Sequence, residues 1–347
     1  MVPLVDLKRR AAAHRDEYLA AVDRVLASGI ILLGPESEAF EREFAEWTGY
    51  RHAVAVSSGA AALQLALAAM GVEPGDEVIV PAFTAVPTAS AVCAIGAVPV
   101  PVDVDDDAAA LDLDATAAAI TSRTRAVVPV HLYGRPAALP MGGPGVLEDA
   151  AQAHGALHHS ASAAVAYSFY PTKNLGGVGD GGAVVTDDDE LADALRRARA
   201  HGMTTQYVHT SVSQNFRMSE LEAAWLRVML PTVAAGNDRR RAIARRYRTA
   251  APHLRWQADH PDHVHHLAVV RVDDRDRFRA TLHEAGVATG VHYPLALTQQ
   301  PAYRRFARAR CRVAEQWAAQ CASVPMFPEL TDAEIAHVCD VLAATKG

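Results

Sequence analysis

A single lysine lies between an aromatic, strand-like run and a loop of five glycines in residues 168–186, SFYPTKNLGGVGDGGAVVT. A surface lysine gains nothing from such a loop. A lysine that forms and breaks a covalent bond inside a close-fitting pocket does, because its reaction partners must come near. We therefore expect Lys173 to be a catalytic amine, and the glycines to leave room for a cofactor, a substrate and a moving amine. The loop does not match the GxxxxGK[ST] phosphate-binding pattern.

A second stretch, SSGAAALQLAL at residues 57–67, places two serines and a glycine between a predicted strand and a predicted helix. The free N–H groups and the positive dipole end of a helix start suit a phosphate group. Gly59 would let an anion come close, and Ser57 or Ser58 could cap the helix. An ordinary helix cap without a ligand explains the same residues. On its own, this stretch leaves both interpretations open.

A third stretch, VLEDAAQAHGA at residues 146–156, ends a predicted strand with two acids. Neighbouring side chains on a strand point to opposite faces, so one of Glu148 and Asp149 can reach into a pocket while the other is solvated. In a parallel sheet, all three stretches meet at the carboxyl ends of strands, where α/β proteins bind ligands. A phosphate cradle, a carboxylate and a lysine together predict a site for pyridoxal 5'-phosphate (PLP). The lysine would form the Schiff base, and the carboxylate would pair with the pyridinium nitrogen.

These residues depend on a regular arrangement of strands and helices. Short apolar runs alternate with helical or loop segments, and the runs lie at residues 52–57, 76–82, 97–104, 125–132, 145–149 and 164–170. Leu63 and Leu67, four residues apart, mark a helix over residues 59–70. This alternation predicts an α/β fold with a mostly parallel sheet that is covered by helices on both faces.

A smaller unit is expected towards the C-terminus, because the composition changes after residue 236. A basic helix there is followed by a predicted strand at 265–272, a helix at 275–286 and a strand at 287–294. We expect a large PLP-binding domain over residues 1–236 and a smaller α+β domain over residues 237–347.

Composition argues against several other classes of protein. The net charge of −7 disfavours a general nucleic-acid binder, which carries a basic footprint. The N-terminus is charged early, so we expect no signal peptide. Residues 78–102 carry no charge but contain four prolines, too many for a helix in lipid. The four cysteines lack metal-type spacing, and we expect them to be reduced, as in a cytoplasmic protein.

Two conspicuous runs have ordinary explanations. We expect the arginine run at residues 239–248 to be the solvated face of an exposed helix, with nucleic-acid binding as the weaker alternative. The histidines of residues 260–266 have no acidic or thiolate partner at ligand spacing, and His265 and His266 would point to opposite faces of a strand. We expect no structural metal.

The chain resembles the DegT/StrS-type family of fold-type I PLP-dependent aminotransferases, which act on keto-sugar nucleotides and cyclitols. The resemblance runs nearly end to end, and SFYPTKNLG and EDAAQAHGA are its most specific elements. Its other elements are LGPESEAFEREFA, SSGAAALQLAL, PGDEVIVPAFT, VVPVHLYGRP, NFRMSELEAA, GVHYP and VPMFPELTDAEI. It implies transfer of an amino group from glutamate or glutamine to a keto-sugar nucleotide or keto-cyclitol, in aminosugar or antibiotic biosynthesis.

The resemblance also implies roles for individual residues. Lys173 matches the lysine that binds PLP covalently, Asp149 matches the partner of the pyridine nitrogen, and Gln152 matches a glutamine packed by the ring. Positions that match the phosphate site are Ser168, Gly59, Ala60 and Ala61. Asn215 matches an asparagine that reaches the phosphate of the neighbouring subunit's cofactor, which implies an obligate homodimer with shared active sites.

Two alanines of the predicted cofactor site depart from the family pattern, and Ala296 and Thr298 stand where proline and histidine are common. Ala60 stands where the family usually has threonine, and Ala85 stands where it usually has an aromatic residue stacked on the pyridine ring. Phe83 is two residues from Ala85, so in an extended stretch it would face the same side and could partly fill that space. A repositioned loop from the short segment 136–145 could also fill it.

Two other functions remain open. One is a dehydratase or another non-transaminase of the same fold, although such relatives tend to have histidine in place of the lysine, and Lys173 is retained. The other is a non-catalytic regulator that binds PLP or a nucleotide sugar. Lys173 and Asp149 argue against the regulator, whereas the two alanines and the shortened segments 136–145 and 156–166 argue for it.

Overall fold

The computed structural model describes residues 1–156, 159–160 and 162–345. Its large sheet has the strands β1 (His52–Val56), β2 (Glu77–Pro81), β3 (Val98–Val102), β4 (Thr124–Val127), β5 (Gly145–Asp149), β6 (Ala164–Ser168) and β7 (Gly182–Thr186). They lie in the order β1-β7-β6-β5-β4-β2-β3. β7 is antiparallel to both of its neighbours, and all other neighbouring strands are parallel. The predicted α/β fold with a mostly parallel sheet is confirmed.

Helices cover both faces of this sheet. The α-helices are α1 (Leu7–Ala13), α2 (Arg15–Ser28), α3 (Pro35–Thr48), α4 (Gly59–Ala69), α5 (Val86–Ala94), α6 (Leu113–Ala119), α7 (Asp189–Ala198), α8 (Glu220–Met229), α9 (Val233–Ala250), α10 (Arg275–Glu284), α11 (Arg312–Gln320) and α12 (Asp332–Ala344). One buried cluster joins the sheet to α4, α5 and α7, and another joins it to α3 and α8. Strands buried on both faces read as continuous apolar runs, which is why the sequence revealed them.

A second sheet lies in the C-terminal part, with the antiparallel strands β10 (Arg255–Trp256), β11 (Ala268–Arg271) and β12 (Cys321–Val324). A short hairpin, β8 (Met203–Thr205) and β9 (Val208–His209), precedes α8. The predicted strand at 287–294 is wrong: Val287 bridges to Val2 and Gly290 bridges to Ser323, so no continuous ladder forms. β12 was not predicted, because it follows α11 directly and has no turn signal.

The division into domains at residue 236 stays a prediction. Helix α9 runs through that residue, and its buried face joins a core cluster with α10, α12 and the three-stranded sheet. Val2 from the N-terminus packs into the same cluster. The shortened segment 156–166 lies partly outside the described residues.

The arginine run is only partly a solvated face. Arg240 is buried, and its Nη1 donates hydrogen bonds to the carbonyl oxygens of His265, His266 and Met326. In the described part of the chain, no helix combines the length and hydropathy needed to cross a membrane. Within the same residues, no group of three or more His, Cys, Asp or Glu side chains forms a metal site.

Candidate active site

A cavity of about 370 Å³ lies at the carboxyl ends of the parallel strands and at the start of α4. Strand ends of this kind are where α/β proteins bind ligands. The predicted site residues that line it are Lys173, Asp149, Gln152, Ser168, Gly59, Ala60 and Ala85. The other lining residues are Ser58, Leu63, Thr84, Pro87, Val130, Ala151, Tyr170, Asp180 and Tyr293.

Lys173 follows β6 on a short turn, where its backbone N–H donates to the carbonyl oxygen of Tyr170 at 2.8 Å. Its side chain lines this cavity and an adjoining one of about 380 Å³. Burial of the amine lowers the pKa of Lys173 to about 8, while the Asp149 carboxylate acts in the opposite direction. The uncharged amine is therefore more accessible near neutral pH than it is for an ordinary lysine, which suits a nucleophile that also carries protons.

Asp149 ends β5 with its carboxylate inside the protein. Its Oδ2 accepts a hydrogen bond from Thr88 Oγ1 at 2.8 Å, and its Oδ1 accepts one from the backbone N–H of Ala151 at 3.1 Å. Burial raises the pKa of Asp149, although both hydrogen bonds and the Lys173 amine oppose the rise. Thr88 lies in the first turn of α5, and nothing in the sequence singles it out, because threonine is ordinary there.

Glu148 is not solvated, contrary to the expectation for the acidic pair. Its side chain does point away from that of Asp149, but β5 is a central strand with both faces covered. Glu148 Oε2 lies 2.9 Å from His131 Nε2, and its other oxygen accepts hydrogen bonds from Ser160 and Ser162. These partners hold the pKa of Glu148 below its ordinary value against the opposing effect of burial.

The start of α4 lines the end of the cavity where the sequence predicts a phosphate site. Ser58 caps the helix, and its Oγ accepts the N–H of Ala61 at 3.1 Å. Among the described residues, the N–H groups of Gly59 and Ala60 meet no acceptor, so both remain available to an anion. A Cβ at Gly59 would lie 2.5 Å from the Cβ of Ser168, which explains the glycine. Ala61 is buried in the core below and does not line the cavity.

Gln152 connects the cavity wall to two tyrosines. The backbone N–H of Tyr133 donates to Gln152 Oε1 at 2.6 Å, and Gln152 Nε2 donates to the hydroxyl oxygen of Tyr293 at 3.1 Å. Tyr293 comes from the C-terminal part of the chain, in the GVHYP element, and was not predicted as a site residue. Burial raises the pKa of Tyr293 to about 12, so its phenol stays protonated over the physiological range.

Three of the five glycines after Lys173, at residues 176, 177 and 182, are required by packing and not by space around the amine, contrary to the expectation. A Cβ at Gly176 would approach Arg10 Nη1 at 2.6 Å and the carbonyl oxygen of Pro171, and one at Gly182 would meet the backbone of Ser58. A Cβ at Gly177 would overlap the carboxylate of Glu222. These glycines therefore permit close packing of the loop against its neighbours, and none of them has a positive φ.

Phe83 does not replace the missing aromatic residue at Ala85. The chain bends over residues 82–84, so the alternation of an extended strand does not apply. Phe83 is fully buried in a different cluster, where its ring stacks on Trp317 with centroids 5.9 Å apart. Ala85 itself lines the cavity, so the wall at this point is small and apolar.

Asn215 lies outside the cavity. It is exposed on the segment between β9 and α8, where its Oδ1 accepts hydrogen bonds from the backbone N–H and from Nε of Arg217. It also forms a bridge to Ala200. Its role across a subunit interface stays a prediction.

The residues present fit PLP. The helix start offers unpaired N–H groups with a serine opposite, and the Asp149 carboxylate is oriented by Thr88. Lys173 is close enough to that carboxylate for their charges to affect each other's pKa. A phosphate, a ring nitrogen and an aldehyde each find a suitable chemical partner in one cavity.

Comparisons with known proteins agree with this arrangement. One relative is a dTDP-3-amino-3,4,6-trideoxy-alpha-D-glucose transaminase of Streptomyces venezuelae, 44% identical over 98% of this chain and 95% of its own length. Another is a UDP-N-acetyl-3-dehydro-alpha-D-glucosamine 3-aminotransferase of Acidithiobacillus ferrooxidans, 41% identical over 99% of this chain and 98% of its own.

Solved structures also match the fold of this chain closely. The crystal structure of S. venezuelae DesV in complex with a ketimine intermediate matches with a TM-score of 0.94 and 43% identity, over 99% of this chain and 97% of that one. Other solved structures of similar fold contain pyridoxamine phosphate. The chain is therefore an enzyme, a sugar aminotransferase with PLP as its cofactor. Its residues 12–343 match the family model, and the chain belongs to the DegT/DnrJ/EryC1/StrS aminotransferase family.

Proposed function

We propose that this enzyme takes an amino group from glutamate or glutamine and transfers it to the ketone of a nucleotide-linked keto-sugar or a keto-cyclitol. The observation that supports this most directly is the position of Lys173 and Asp149 in one cavity with a helix start. Relatives that are 44% and 41% identical carry dTDP and UDP in their names, so the acceptor's nucleotide stays open.

Each wall of the cavity has a role in this proposal. Bound PLP supplies an electron sink and carries the amino group between donor and acceptor. Lys173 attaches the cofactor. Once released, its amine acts as general acid and base and moves a proton between the substrate carbon that bears the amino group and the cofactor carbon to which the lysine was attached. Asp149, held by Thr88, keeps a proton on the ring nitrogen. Ser58, Gly59 and Ser168 bind the phosphate.

We further propose a cytoplasmic homodimer with shared active sites. Large apolar side chains are exposed after α2, at Ile30, Ile31 and Leu32, and in and after the β8–β9 hairpin, at Val208 and Val212. Exposed apolar groups of this kind support a protein partner. The second group lies close in sequence to Asn215, which supports a place for that residue in the neighbouring site.

One experiment tests the reaction. The protein is loaded with PLP, and the visible absorbance of lysine-bound PLP is followed after glutamate or glutamine is added without an acceptor. We expect the band to disappear, and to return when a suitable keto-sugar nucleotide or keto-cyclitol is added, with an aminated product seen by mass. A dehydratase would release a dehydrated product, and a regulator would keep its band with every donor. Either result would contradict the proposal.

Attachment to Lys173 is tested by reduction with borohydride followed by peptide mapping. The chain has three lysines, Lys8, Lys173 and Lys346, so the modified residue is identified without ambiguity. We expect the mass increase on Lys173 alone, and no visible band in Lys173→Ala. The exposed Lys8 provides the control, because Lys8→Ala should keep the band.

Sharing of the site is tested with mixed dimers. Asn215→Ala and Lys173→Ala should each be nearly inactive, and mixing them should restore part of the activity, because one site then holds both native residues. Lys173→Ala mixed with Asp149→Asn is the control. Each of these two substitutions damages the site of the subunit that carries it, so both sites of a mixed dimer remain defective and no activity should return. No recovery in the first mixture despite demonstrated subunit exchange would place Asn215 in its own subunit's site or in neither.

A further inference from the structure

A buried arginine from the N-terminal helix touches the turn that carries Lys173. Arg10 is 5% exposed, and its Nη1 donates hydrogen bonds to the carbonyl oxygens of Pro171 at 3.0 Å and Lys173 at 3.1 Å. The first of these carbonyls lies inside the turn that begins at Tyr170, and the second lies at its end. One cation therefore fixes the backbone from which the lysine side chain extends.

The loop after the lysine closes over the same guanidinium. A Cβ at Gly176 would lie 2.6 Å from Arg10 Nη1, so the chain at this point passes directly over it. The N–H of Trp225 Nε1 donates to the carbonyl oxygen of Gly176 at 2.8 Å and also holds the loop in place. Arg10 is thus enclosed between its own helix and residues 171–176.

Burial of this charge is costly, which argues that the contact matters. Burial lowers the pKa of Arg10, and the nearest carboxylate, Oε1 of Glu329, is 3.9 Å from its Nε. A buried cation whose closest direct partners are backbone carbonyls recovers only part of its lost hydration. A shorter or neutral side chain would avoid that cost if the turn needed no fixed position.

The neighbouring arginine on the same helix points elsewhere. Arg9 forms a two-fold ion pair with Glu334 of α12, at 2.8 and 2.7 Å, and its Nη1 donates to the carbonyl oxygen of Glu329. Helix α1 is thereby attached to the C-terminal part of the chain through Arg9 and reaches the lysine turn through Arg10. Arg9 therefore attaches the helix, whereas Arg10 contacts the lysine turn, and the two effects can be tested separately.

We infer that Arg10 is a positioning residue for Lys173: its hydrogen bonds to the carbonyl oxygens of residues 171 and 173 set where the lysine amine lies in the cavity. This inference rests on the proposed function of Lys173. It assigns Arg10 no contact with cofactor or substrate, and the cavity lining does not include it.

The test compares Arg10→Met with Arg9→Met in the PLP-loaded enzyme. We expect Arg10→Met to shift the pH midpoint of the lysine-bound PLP band and to lower kcat by about tenfold or more, because a misplacement near 1 Å costs up to about a hundredfold. The KM of Arg10→Met for the amino donor should change little. Arg10→Lys should have a higher kcat than Arg10→Met, because the lysine again offers an N–H donor to the turn. Arg9→Met should keep the wild-type midpoint and kcat even if its melting temperature falls.

If Arg10→Met does not unfold cooperatively, Arg10→Gln replaces it, since its shorter side chain does not reach both carbonyls and should give the same shift. A folded Arg10→Met or Arg10→Gln with the wild-type midpoint and kcat would overturn the inference. An equal shift in Arg9→Met would also overturn it, because the effect would then come from the helix as a whole. A wild-type protein without any lysine-bound PLP band would instead overturn the proposed function, and the inference with it.

Discussion

The Oε1 atom of Glu222 occupies the space that a Cβ atom at Gly177 would need. The other oxygen of the same carboxylate accepts the N–H groups of Val178 at 3.2 Å and Gly179 at 3.0 Å. Helix α8 thus holds the glycine loop through one buried side chain. The glycine at residue 177 is therefore required by a partner that is distant in sequence.

Gly177→Ala should therefore destabilise the protein. The added methyl group must displace the Glu222 carboxylate or the loop, and overpacking of a buried site costs about 1–3 kcal/mol. Gly179→Ala is the matched control, because the nearest described atom to a Cβ there would be Glu222 Oε2 at 3.7 Å, an ordinary contact. Urea unfolding of both variants measures the difference. Equal stabilities would show that the loop adjusts freely at residue 177.

Glu222 should also make the stability depend on pH. Burial raises the pKa of Glu222 from an ordinary value of 4.5 to about 7, and the nearby Asp180 adds a smaller rise. The N–H groups of Val178 and Gly179 act in the opposite direction. Between these values the folded protein holds a proton that the unfolded chain has lost. The contribution to stability is therefore complete below about pH 4.5 and is lost as the pH rises through 7.

Glu222→Gln should remove this dependence, because the amide keeps an acceptor oxygen for the loop and has no proton to lose. We expect its free energy of unfolding, relative to wild type, to increase between pH 5 and pH 8. Glu17→Gln, on the exposed face of α2, reports the general effect of removing one negative charge. A constant difference between Glu222→Gln and wild type over this range would contradict the prediction.

The sequence predicted the part of the site that follows from topology. Parallel strands bring their carboxyl ends together, so Lys173, Asp149 and Ser168 meet with the helix start at Gly59, as expected. Thr88 was not predicted, because its contact with Asp149 depends on how helix α5 is oriented above the end of β5.

The errors concern packing between distant segments. The glycines looked like space for a ligand because neither Glu222 nor Arg10 is near them in sequence. The expectation of a solvated Glu148 ignored that a strand in the middle of a covered sheet has no solvated face. The strand at 287–294 failed because its two bridges go to different partners.

Asp149→Asn should retain PLP but lose nearly all turnover, because a neutral amide does not hold a proton on the ring nitrogen. Thr88→Val should have a smaller effect in the same direction. A hydrogen bond to a charged group contributes about 1.5–3 kcal/mol, and about 1.4 kcal/mol corresponds to a tenfold change in rate. We therefore expect kcat to fall by roughly tenfold or more, with PLP affinity little changed.

Ser90→Ala is the control for Thr88→Val, since Ser90 lies on the same helix and its hydroxyl donates to the carbonyl oxygen of Pro87. Its kcat should equal that of wild type. Turnover of Asp149→Asn within a few-fold of wild type would exclude Asp149 from the ring-nitrogen role. An unchanged Thr88→Val would show that Asp149 keeps its orientation through Ala151 alone.

The cavity wall at Ala85 is small and apolar. An aromatic ring stacked on PLP adds roughly 0.5–1.5 kcal/mol beyond the burial of its area. Ala85→Phe should therefore tighten PLP binding by up to about tenfold, because 1.4 kcal/mol is one decade in affinity. Titration with PLP, followed by the visible band, measures this change. Weaker binding in Ala85→Phe would mean that another group already covers the ring face, and the stacking argument would fail.

Phe83→Ala separates stacking from packing, because the Phe83 ring stacks on Trp317 and does not line the cavity, although it contacts the cavity residue Tyr293 edge-on with ring centroids 6.5 Å apart. Removing a fully buried phenylalanine costs about 3–5 kcal/mol of folding free energy. We expect a lower urea midpoint for Phe83→Ala. Where the variant is still folded, its dissociation constant for PLP should lie within about twofold of wild type, which is a shift of roughly 0.4 kcal/mol. A large loss of PLP affinity in folded Phe83→Ala would show that this ring supports the cofactor after all, and that the bend at residues 82–84 does not remove it from the site.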